Sequence, residues 1–185
     1  MPIDAEKLAR LIDLLKERSF ERRAVTLASG KTSDFFIDCK QTVLTAEGHA
    51  LCGALMFEAL QELPPCDAVG GVELGGCPLA SAVSLVSHQR GRALPALYVR
   101  KERKDHGTTK LVEGDKAMFP GIRVALLEDV VTSGGSSLRA VDTLRAAGAD
   151  VVGIVALVDR REGGSEAIAA AGIPLIHLAS RDDFM

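Results

Sequence analysis

The sequence has few aromatic side chains and only a small excess of negative charge. Among its 185 residues Trp is absent, and Phe, Tyr and Trp together make up 4%, so an aromatic surface for stacking nucleobases is not expected. The formal net charge of −3 argues against a protein that covers nucleic-acid phosphates with bulk positive charge. Any anion-binding site must therefore be local, and no nucleic-acid partner is predicted.

Long apolar runs and paired cysteine motifs are also missing. No apolar run reaches the roughly 18 residues of a membrane span. The first residues, Met-Pro-Ile-Asp-Ala-Glu, lack the basic and apolar regions of a signal peptide, so we predict a cytoplasmic protein with no membrane partner. The four cysteines form no C-x-x-C pair and are predicted to be plain reduced thiols: Cys39, Cys52, Cys66 and Cys77.

The length and the apolar pattern predict one domain, residues 1–185, built around a parallel sheet. Short apolar runs at 68–72, 94–99, 122–127, 151–158 and 174–178 alternate with helical stretches near 78–90, 135–147 and 164–171. Strands separated by helices form βαβ units, and continuously apolar strands are buried on both faces. We therefore predict an α/β fold with a doubly wound, mainly parallel five-stranded sheet and helices on both faces.

The first 40 residues lack this rhythm and are predicted to form a small hood beside the sheet. Residues 4–18 have the apolar spacing of an amphipathic helix, and 24–38 favour two short strands joined by 29–32. Thr45 is a candidate N-cap for a helix that runs to about residue 63. Because ligands of such sheets bind at the carboxyl ends of the strands, functional residues are sought there.

The most informative segment joins a buried strand to a turn of small residues. Val124–Leu127 is apolar, Glu128 and Asp129 follow, and Thr132-Ser133-Gly134-Gly135-Ser136 precedes a helix. Free N–H groups and the positive end of the helix dipole make such a turn a phosphate cradle, and the acids suit ribose hydroxyls. An ordinary N-cap would explain Thr132 or Ser133 but not two acids after a buried strand. The segment therefore predicts a ligand with a phosphate on a ribose.

A second segment, residues 100–110, contains no apolar residue and five basic ones besides His106. Such runs are usually solvated, mobile loops. This one directly follows a strand and concentrates positive charge in an acidic protein, which favours a lid that closes over a polyanion and excludes water.

These two segments resemble the type I phosphoribosyltransferases. The run from Val124 to Ser136 resembles their phosphoribosyl pyrophosphate (PRPP) motif, and Arg-Lys-x-x-Lys-x-His-Gly from Arg100 is similar to the catalytic loop of orotate phosphoribosyltransferases. The resemblance implies that Glu128 and Asp129 hold the ribose hydroxyls and that the 5-phosphate binds after Val130 and Val131, at Thr132, Ser133, Gly134, Gly135 and Ser136. It also implies a catalytic group made of Arg100, Lys101, Lys104 and His106.

Three further segments carry the same resemblance. Gly70–Pro78 resembles the family's pyrophosphate loop, which implies PRPP contacts from Leu74 and Gly75 and a cis non-proline peptide within 73–75; some relatives have Lys in place of Gly75 and of Ala28. Phe36 and Ile37 match the pair that covers the pyrimidine. Arg160, after Asp159, matches the orotate-binding arginine, with Thr132 also near the base.

The resemblance implies a complete reaction. Orotate and PRPP would give orotidine 5-phosphate and pyrophosphate, a step of UMP biosynthesis, with magnesium held through substrate and water and not by direct side-chain ligation. It also implies a homodimer whose lid reaches the partner's site. Two alternatives remain: a phosphoribosyltransferase for purines or uracil, opposed by Arg160 and the Arg-Lys-x-x-Lys-x-His loop, and a non-enzymatic nucleic-acid-binding regulator, opposed by the acidic charge balance.

Overall fold

In the computed structural model, which describes residues 3–26, 32–101 and 110–185, the chain begins with a helix and a hairpin. Asp4 caps the first helix, because its carboxylate accepts the N–H groups of Glu6 and Lys7. Thr45 caps the third helix, as predicted, by accepting the N–H of Gly48. The elements of this part are α1 (Ala5–Arg18), antiparallel β1 (Phe20–Thr26) and β2 (Thr32–Ile37), α2 (Lys40–Val43) and α3 (Ala46–Ala59).

A six-stranded sheet of order β5-β4-β3-β6-β7-β8 forms the centre of the fold. All five predicted strands are present and parallel. The sixth, at the edge, is an antiparallel two-residue strand that was not predicted. In chain order the elements are β3 (Ala68–Val72), α4 (Gly76–Gln89), β4 (Ala96–Val99), β5 (Val112–Glu113), β6 (Arg123–Val131), α5 (Gly135–Ala146), β7 (Asp150–Asp159), α6 (Gly164–Ala170) and β8 (Leu175–Ser180).

Helices cover both faces of the sheet, as the unbroken apolar strands predict. Because side chains alternate along β6, Ala125 and Leu127 pack with α1, α3 and α4, whereas Val124 and Leu126 pack with α5 and α6. Leu126 and Leu127 are fully buried, and truncating either to Ala would cost about 2–5 kcal/mol of stability. Both strand faces therefore anchor the residues that follow at the carboxyl edge.

The hood packs against the far end of the chain through aromatic rings. The centroid of Phe35 in β2 lies 5.0 Å from that of Phe20 and 5.6 Å from that of Phe184, which follows β8. Phe35 is fully buried and Ile37 nearly so, while Phe36 between them is half-buried on the other face of the hairpin. The predicted pair Phe36 and Ile37 is therefore not on one face, because successive strand side chains point in opposite directions.

The four cysteines are free and buried, which agrees with the prediction of plain thiols. Burial raises the pKa of Cys52 to about 12 and that of Cys77 to about 11, so both thiols are protonated at neutral pH. Within the described ranges, no helix has the length and apolarity needed to cross a bilayer.

Candidate active site

The predicted functional segments meet at the carboxyl edge of the parallel sheet. Gly71 pairs with Leu127, Val72 with Val99, and Val131 with Asp159. The residues that follow these pairs therefore lie side by side: the loop 73–75, the start of the cationic segment at 100–101, the turn 132–136, and Arg160. The register of the strands thus brings together segments that are far apart in sequence.

The two acids lie within β6 and not after it, which corrects the predicted strand end. Glu128 is buried and accepts a hydrogen bond from Ser137 Oγ at 3.0 Å, on the α5 side of the sheet. Burial, together with the neighbouring Asp129 carboxylate, raises the pKa of Glu128 to about 8. The Asp129 carboxylate lies beside Gly75 and accepts the N–H of Val130 at 3.0 Å. At neutral pH the pair thus presents a neutral acid, Glu128, and a half-buried acid, Asp129, to the edge.

Asp129 also explains why position 75 is glycine. A Cβ built on Gly75 would lie 1.9 Å from Asp129 Oδ2, far inside van der Waals contact. The backbone of the 73–75 loop therefore approaches the carboxylate more closely than any side chain allows. The peptide between Glu73 and Leu74 is cis, as the resemblance implies. Glu73 Oε1 accepts the N–H of Lys101 at 2.6 Å, which ties this loop to the cationic segment.

The turn after β6 begins α5 without a capping side chain. Gly134 is the N-cap residue and has φ of 77°, in the left-handed region that favours glycine. In the described part of the chain neither Thr132 nor Ser133 caps the helix, so the ordinary capping interpretation does not account for them. A bound anion would accept hydrogen bonds from the first N–H groups of α5.

Arg139 is a cation at this turn that the sequence analysis missed. A Cβ built on Gly135 would lie 3.4 Å from Arg139 Nη1. The guanidinium therefore covers the first turn of α5. Arg139 also lines a cavity of about 30 Å³ with Arg100, Lys101 and Ser136. The signal was present in the sequence, because a residue four positions after Gly135 returns to the same face of the helix.

Only part of the predicted catalytic group can be placed. Arg100 is half-buried, and its Nη1 donates a hydrogen bond to Glu113 Oε1 at 3.1 Å. Its backbone N–H donates to the carbonyl of Leu111. Lys101 is exposed. Lys104 and His106 lie outside the described residues.

Arg160 is buried at the end of β7, beside the turn 132–136. Its N–H donates to the carbonyl of Val131 at 2.9 Å. Its Nη2 donates to the carbonyl of Phe35 at 2.7 Å and to Glu162 Oε1 at 2.9 Å. Arg160 therefore bridges the sheet edge and the hood.

Comparison with known proteins agrees with this arrangement. Residues 41–171 match the phosphoribosyl transferase domain family. The chain is 68% identical over 181 residues to the orotate phosphoribosyltransferase of Sorangium cellulosum, covering 98% of this chain and 94% of that one. It is 44% identical over 179 residues to the enzyme of Rhodopseudomonas palustris, covering 96% and 95%. The chain belongs to the orotate phosphoribosyltransferase family.

The solved structures of this family share the fold. Orotate phosphoribosyltransferase of Mycobacterium tuberculosis in complex with PRPP has a TM-score of 0.78 and 34% identity, covering 96% of this chain and 98% of that one. The same enzyme in complex with Fe(III) dicitrate has a TM-score of 0.81 and 36% identity, covering 96% and 98%. This orotate phosphoribosyltransferase family member is accordingly a pentosyltransferase.

The acidic side chains at this edge fit a magnesium ion that arrives bound to a diphosphate. Among the described residues, no group of three or more His, Cys, Asp or Glu side chains is arranged to hold a metal. Mg²⁺ keeps several waters and binds through one or two carboxylates together with substrate phosphates. Asp129 is half-buried at the edge beside Gly75. Its charge therefore suits a magnesium ion that a diphosphate and water hold, without direct ligation by a side chain.

Proposed function

We propose that this protein transfers the phosphoribosyl group of PRPP to a ring nitrogen of orotate, giving orotidine 5-phosphate and pyrophosphate. One observation carries the proposal. The acid pair, the glycine-rich turn and the buried Arg160 converge on one edge of the sheet in a chain 68% identical to an orotate phosphoribosyltransferase. The acid pair suits a ribose, the turn suits a phosphate and Arg160 suits a carboxylate, and these are groups of the two substrates.

The PRPP site is assigned to three segments of the edge. Asp129 accepts the ribose hydroxyls as a carboxylate, which is the stronger acceptor for them. Glu128, neutral in the ligand-free protein, is assigned to the same hydroxyls beside it. The N–H groups and hydroxyls from Thr132 to Ser136 bind the 5-phosphate, with Val130 and Val131 as the strand that positions them. Leu74 and Gly75 present their backbone to the pyrophosphate. Arg139, over the first turn of α5, adds a side-chain cation where Gly75 supplies none.

The orotate site is assigned to the edge of the sheet beside the hood, next to Arg160. A guanidinium binds a carboxylate with favourable geometry, so Arg160 is the partner of the orotate carboxylate. Phe36 covers the ring, and Thr132 contacts it from the turn. Ile37, whose side chain is buried and supports the hairpin from the core, stays the second residue proposed to cover the base.

The chemical step needs no covalent nucleophile. The bond from ribose C1 to the pyrophosphate oxygen breaks with its electron pair on pyrophosphate, while C1 gains the bond to the ring nitrogen of orotate. The proton of that nitrogen passes to the departing pyrophosphate or to water. Arg100, Lys101, Lys104 and His106 supply positive charge and proton donors where the leaving group becomes negative. Magnesium bound with PRPP, near Asp129, would neutralise further charge on the diphosphate. Positioning of the two substrates supplies much of the remaining acceleration.

A homodimer with shared sites is part of the proposal. It rests on the resemblance, and an exposed apolar patch supports it. Leu85 on α4 is 57% exposed and Tyr98 on β4 is 37% exposed. Ser81, one turn before Leu85, hydrogen-bonds the Tyr98 hydroxyl, which places the two apolar side chains on one surface. A second copy of the chain is the occupant we assign to it.

A substrate panel tests the proposed function. Orotate absorbance should fall only when PRPP and Mg²⁺ are both present, while uracil, adenine and hypoxanthine should not react. Turnover of one of those bases in place of orotate would favour the alternative phosphoribosyltransferase. Binding to DNA or RNA at physiological salt without any turnover would favour the regulator. The cytoplasmic location and the absence of a nucleic-acid partner stay predictions.

A further inference from the structure

Next to Arg160, within the segment 159–163, the carboxylate of Glu162 contacts two arginines. We propose that Glu162 is a positioning residue, which holds the Arg160 guanidinium in the orientation that receives the orotate carboxylate. The inference rests on the proposed function, because it takes Arg160 as the partner of that carboxylate.

The contacts of Arg160 fix its side-chain torsions. Glu162 Oε1 and the carbonyl of Phe35 both accept from the same nitrogen, Nη2, at 2.9 and 2.7 Å. Two acceptors on one nitrogen define the plane of a guanidinium as well as its position. The side chains of Arg160 and Glu162 are only 10% and 14% exposed, so water competes little for these bonds. Loss of Glu162 would remove an acceptor from Nη2 and would loosen the hold on the guanidinium plane.

A second arginine holds Glu162 itself. Arg181, which follows β8, has Nη1 at 3.7 Å from Glu162 Oε1. Its Nη2 donates to Asp34 Oδ1 in β2 at 2.6 Å. A chain of contacts thus runs from the end of β7, through the end of β8, to the strand of the hood that carries Phe36. The two walls of the proposed orotate site are connected through Glu162 and Arg181.

The charges of this chain favour positioning over competition. A carboxylate that paired with Arg160 alone would offset the positive charge of the guanidinium and oppose the binding of another anion. Here Glu162 is shared by Arg160 and Arg181, and Asp34 is shared by Arg181 and Arg22. Three arginines and two carboxylates therefore carry one net positive charge. Glu162 can therefore orient Arg160 while the group remains attractive to the orotate carboxylate.

Steady-state kinetics of Glu162→Ala and Glu162→Gln test the inference. Gln keeps an oxygen that accepts a hydrogen bond, whereas Ala does not. We expect Ala to raise the KM for orotate by about 10-fold or more with the KM for PRPP within about twofold, and Gln to fall between Ala and wild type. Asp182→Ala is the matched control, because Asp182 pairs at 3.1 Å with exposed Arg161 on the neighbouring surface; it should leave both constants unchanged.

Every other outcome overturns the inference. A lower orotate KM in both Glu162 variants would mean that Glu162 competes with the substrate for Arg160. An unchanged orotate KM, or an equal rise in both KM values together with a lower Tm, would show no role or only a structural one. If Glu162→Ala does not fold, Glu162→Gln and Arg181→Gln replace it: a rise in orotate KM alone supports the inference and no rise overturns it.

Two further measurements separate this inference from the proposed function. Wild-type protein that does not consume orotate contradicts the proposed function itself. An active wild type in which Arg160→Gln leaves the orotate KM unchanged contradicts the Arg160 assignment, and the role of Glu162 is overturned with it. An active wild type that depends on Arg160 but not on Glu162 overturns this inference alone.

Discussion

Adjacent residues of β6 have different chemical environments because a strand alternates its faces. Glu128 turns towards α5, where Ser137 donates to it and burial favours its neutral form. Asp129 turns towards the loop before α4 and approaches the backbone of Gly75. Glu128 is therefore part of the edge of the core, whereas Asp129 faces the space where a diphosphate would lie.

Asp129→Asn should be a severe catalytic variant. The amide is isosteric but loses the charge that strengthens hydrogen bonds from ribose hydroxyls and that complements Mg²⁺. We expect kcat/KM for PRPP to fall at least about 100-fold, or roughly 2.7 kcal/mol. Asp142→Asn, an identical change on the exposed side of α5, should keep wild-type activity. Equal activity of the two variants would contradict the assignment of the acid pair.

Glu128→Gln should alter the pH dependence of stability in the ligand-free protein. The folded pKa of Glu128 is raised to about 8, above its unfolded value. The folded state therefore holds the proton more tightly, and the stability contributed by Glu128 is fully present below the unfolded pKa and is lost as pH rises towards 8. Gln cannot ionise and still accepts the bond from Ser137.

The measurement is denaturant unfolding of both proteins at pH 5, 6.5 and 8. The free energy of unfolding of Glu128→Gln, relative to wild type, should increase by at least about 1 kcal/mol from pH 5 to pH 8. Parallel pH curves for the two proteins would show that Glu128 ionises in the folded state as readily as in the unfolded chain.

At the scale of elements, Gly75 allows the loop between β3 and α4 to approach Asp129 of β6. Gly75→Ala should destabilise the wild type by about 1–3 kcal/mol, since the new Cβ meets Asp129 Oδ2 and the carboxylate must move. In an Asp129→Ala background the obstacle is absent, so the same change should cost less than half as much. Unfolding of the four proteins of this double-mutant cycle gives the coupling. Equal cost in both backgrounds would mean that Gly75 is needed for another reason.

The elements that the sequence predicted correctly are those with strong apolar signals. All five parallel strands and the helices on both faces follow from runs such as 151–158, which stay buried throughout. The end of β6 was placed too early because Glu128 and Asp129 interrupt the apolar run. The strand nevertheless continues, since neighbouring β7 extends to Asp159 and pairs with it up to Val131. The two residues of β5 are too few for any periodic signal.

Contacts between distant segments were the least predictable part of the site. Motifs identified Arg160 and the turn 132–136, but no local pattern links Asp34 to Arg181 or Phe35 to Phe184. These contacts exist because the hood packs on the end of β8. Phe36 and Ile37 are the opposite case, because the alternation of β2 alone predicts that their side chains lie on opposite faces of the hairpin.

At the scale of the whole molecule, the proposed dimer has a consequence that a monomeric site lacks. If the segment containing Lys104 acts on the partner's PRPP site, a chain with Lys104→Ala still carries an intact acid pair, and a chain with Asp129→Asn still carries an intact lid segment. Each homodimer combines two damaged sites. A mixed dimer holds one site with both defects and one site with none.

Mixing the two inactive variants should therefore restore activity. After subunit exchange verified by mass spectrometry of differently tagged chains, a statistical mixture contains about half mixed dimers, each with one intact site. We expect about a quarter of the wild-type activity per chain, against nearly none for either variant alone. Leu85→Glu, which places a charge in the exposed patch of α4, should prevent both dimer formation and the rescue. Verified exchange without rescue, or a monomer at assay concentration with full activity, would show that each site is complete within one chain.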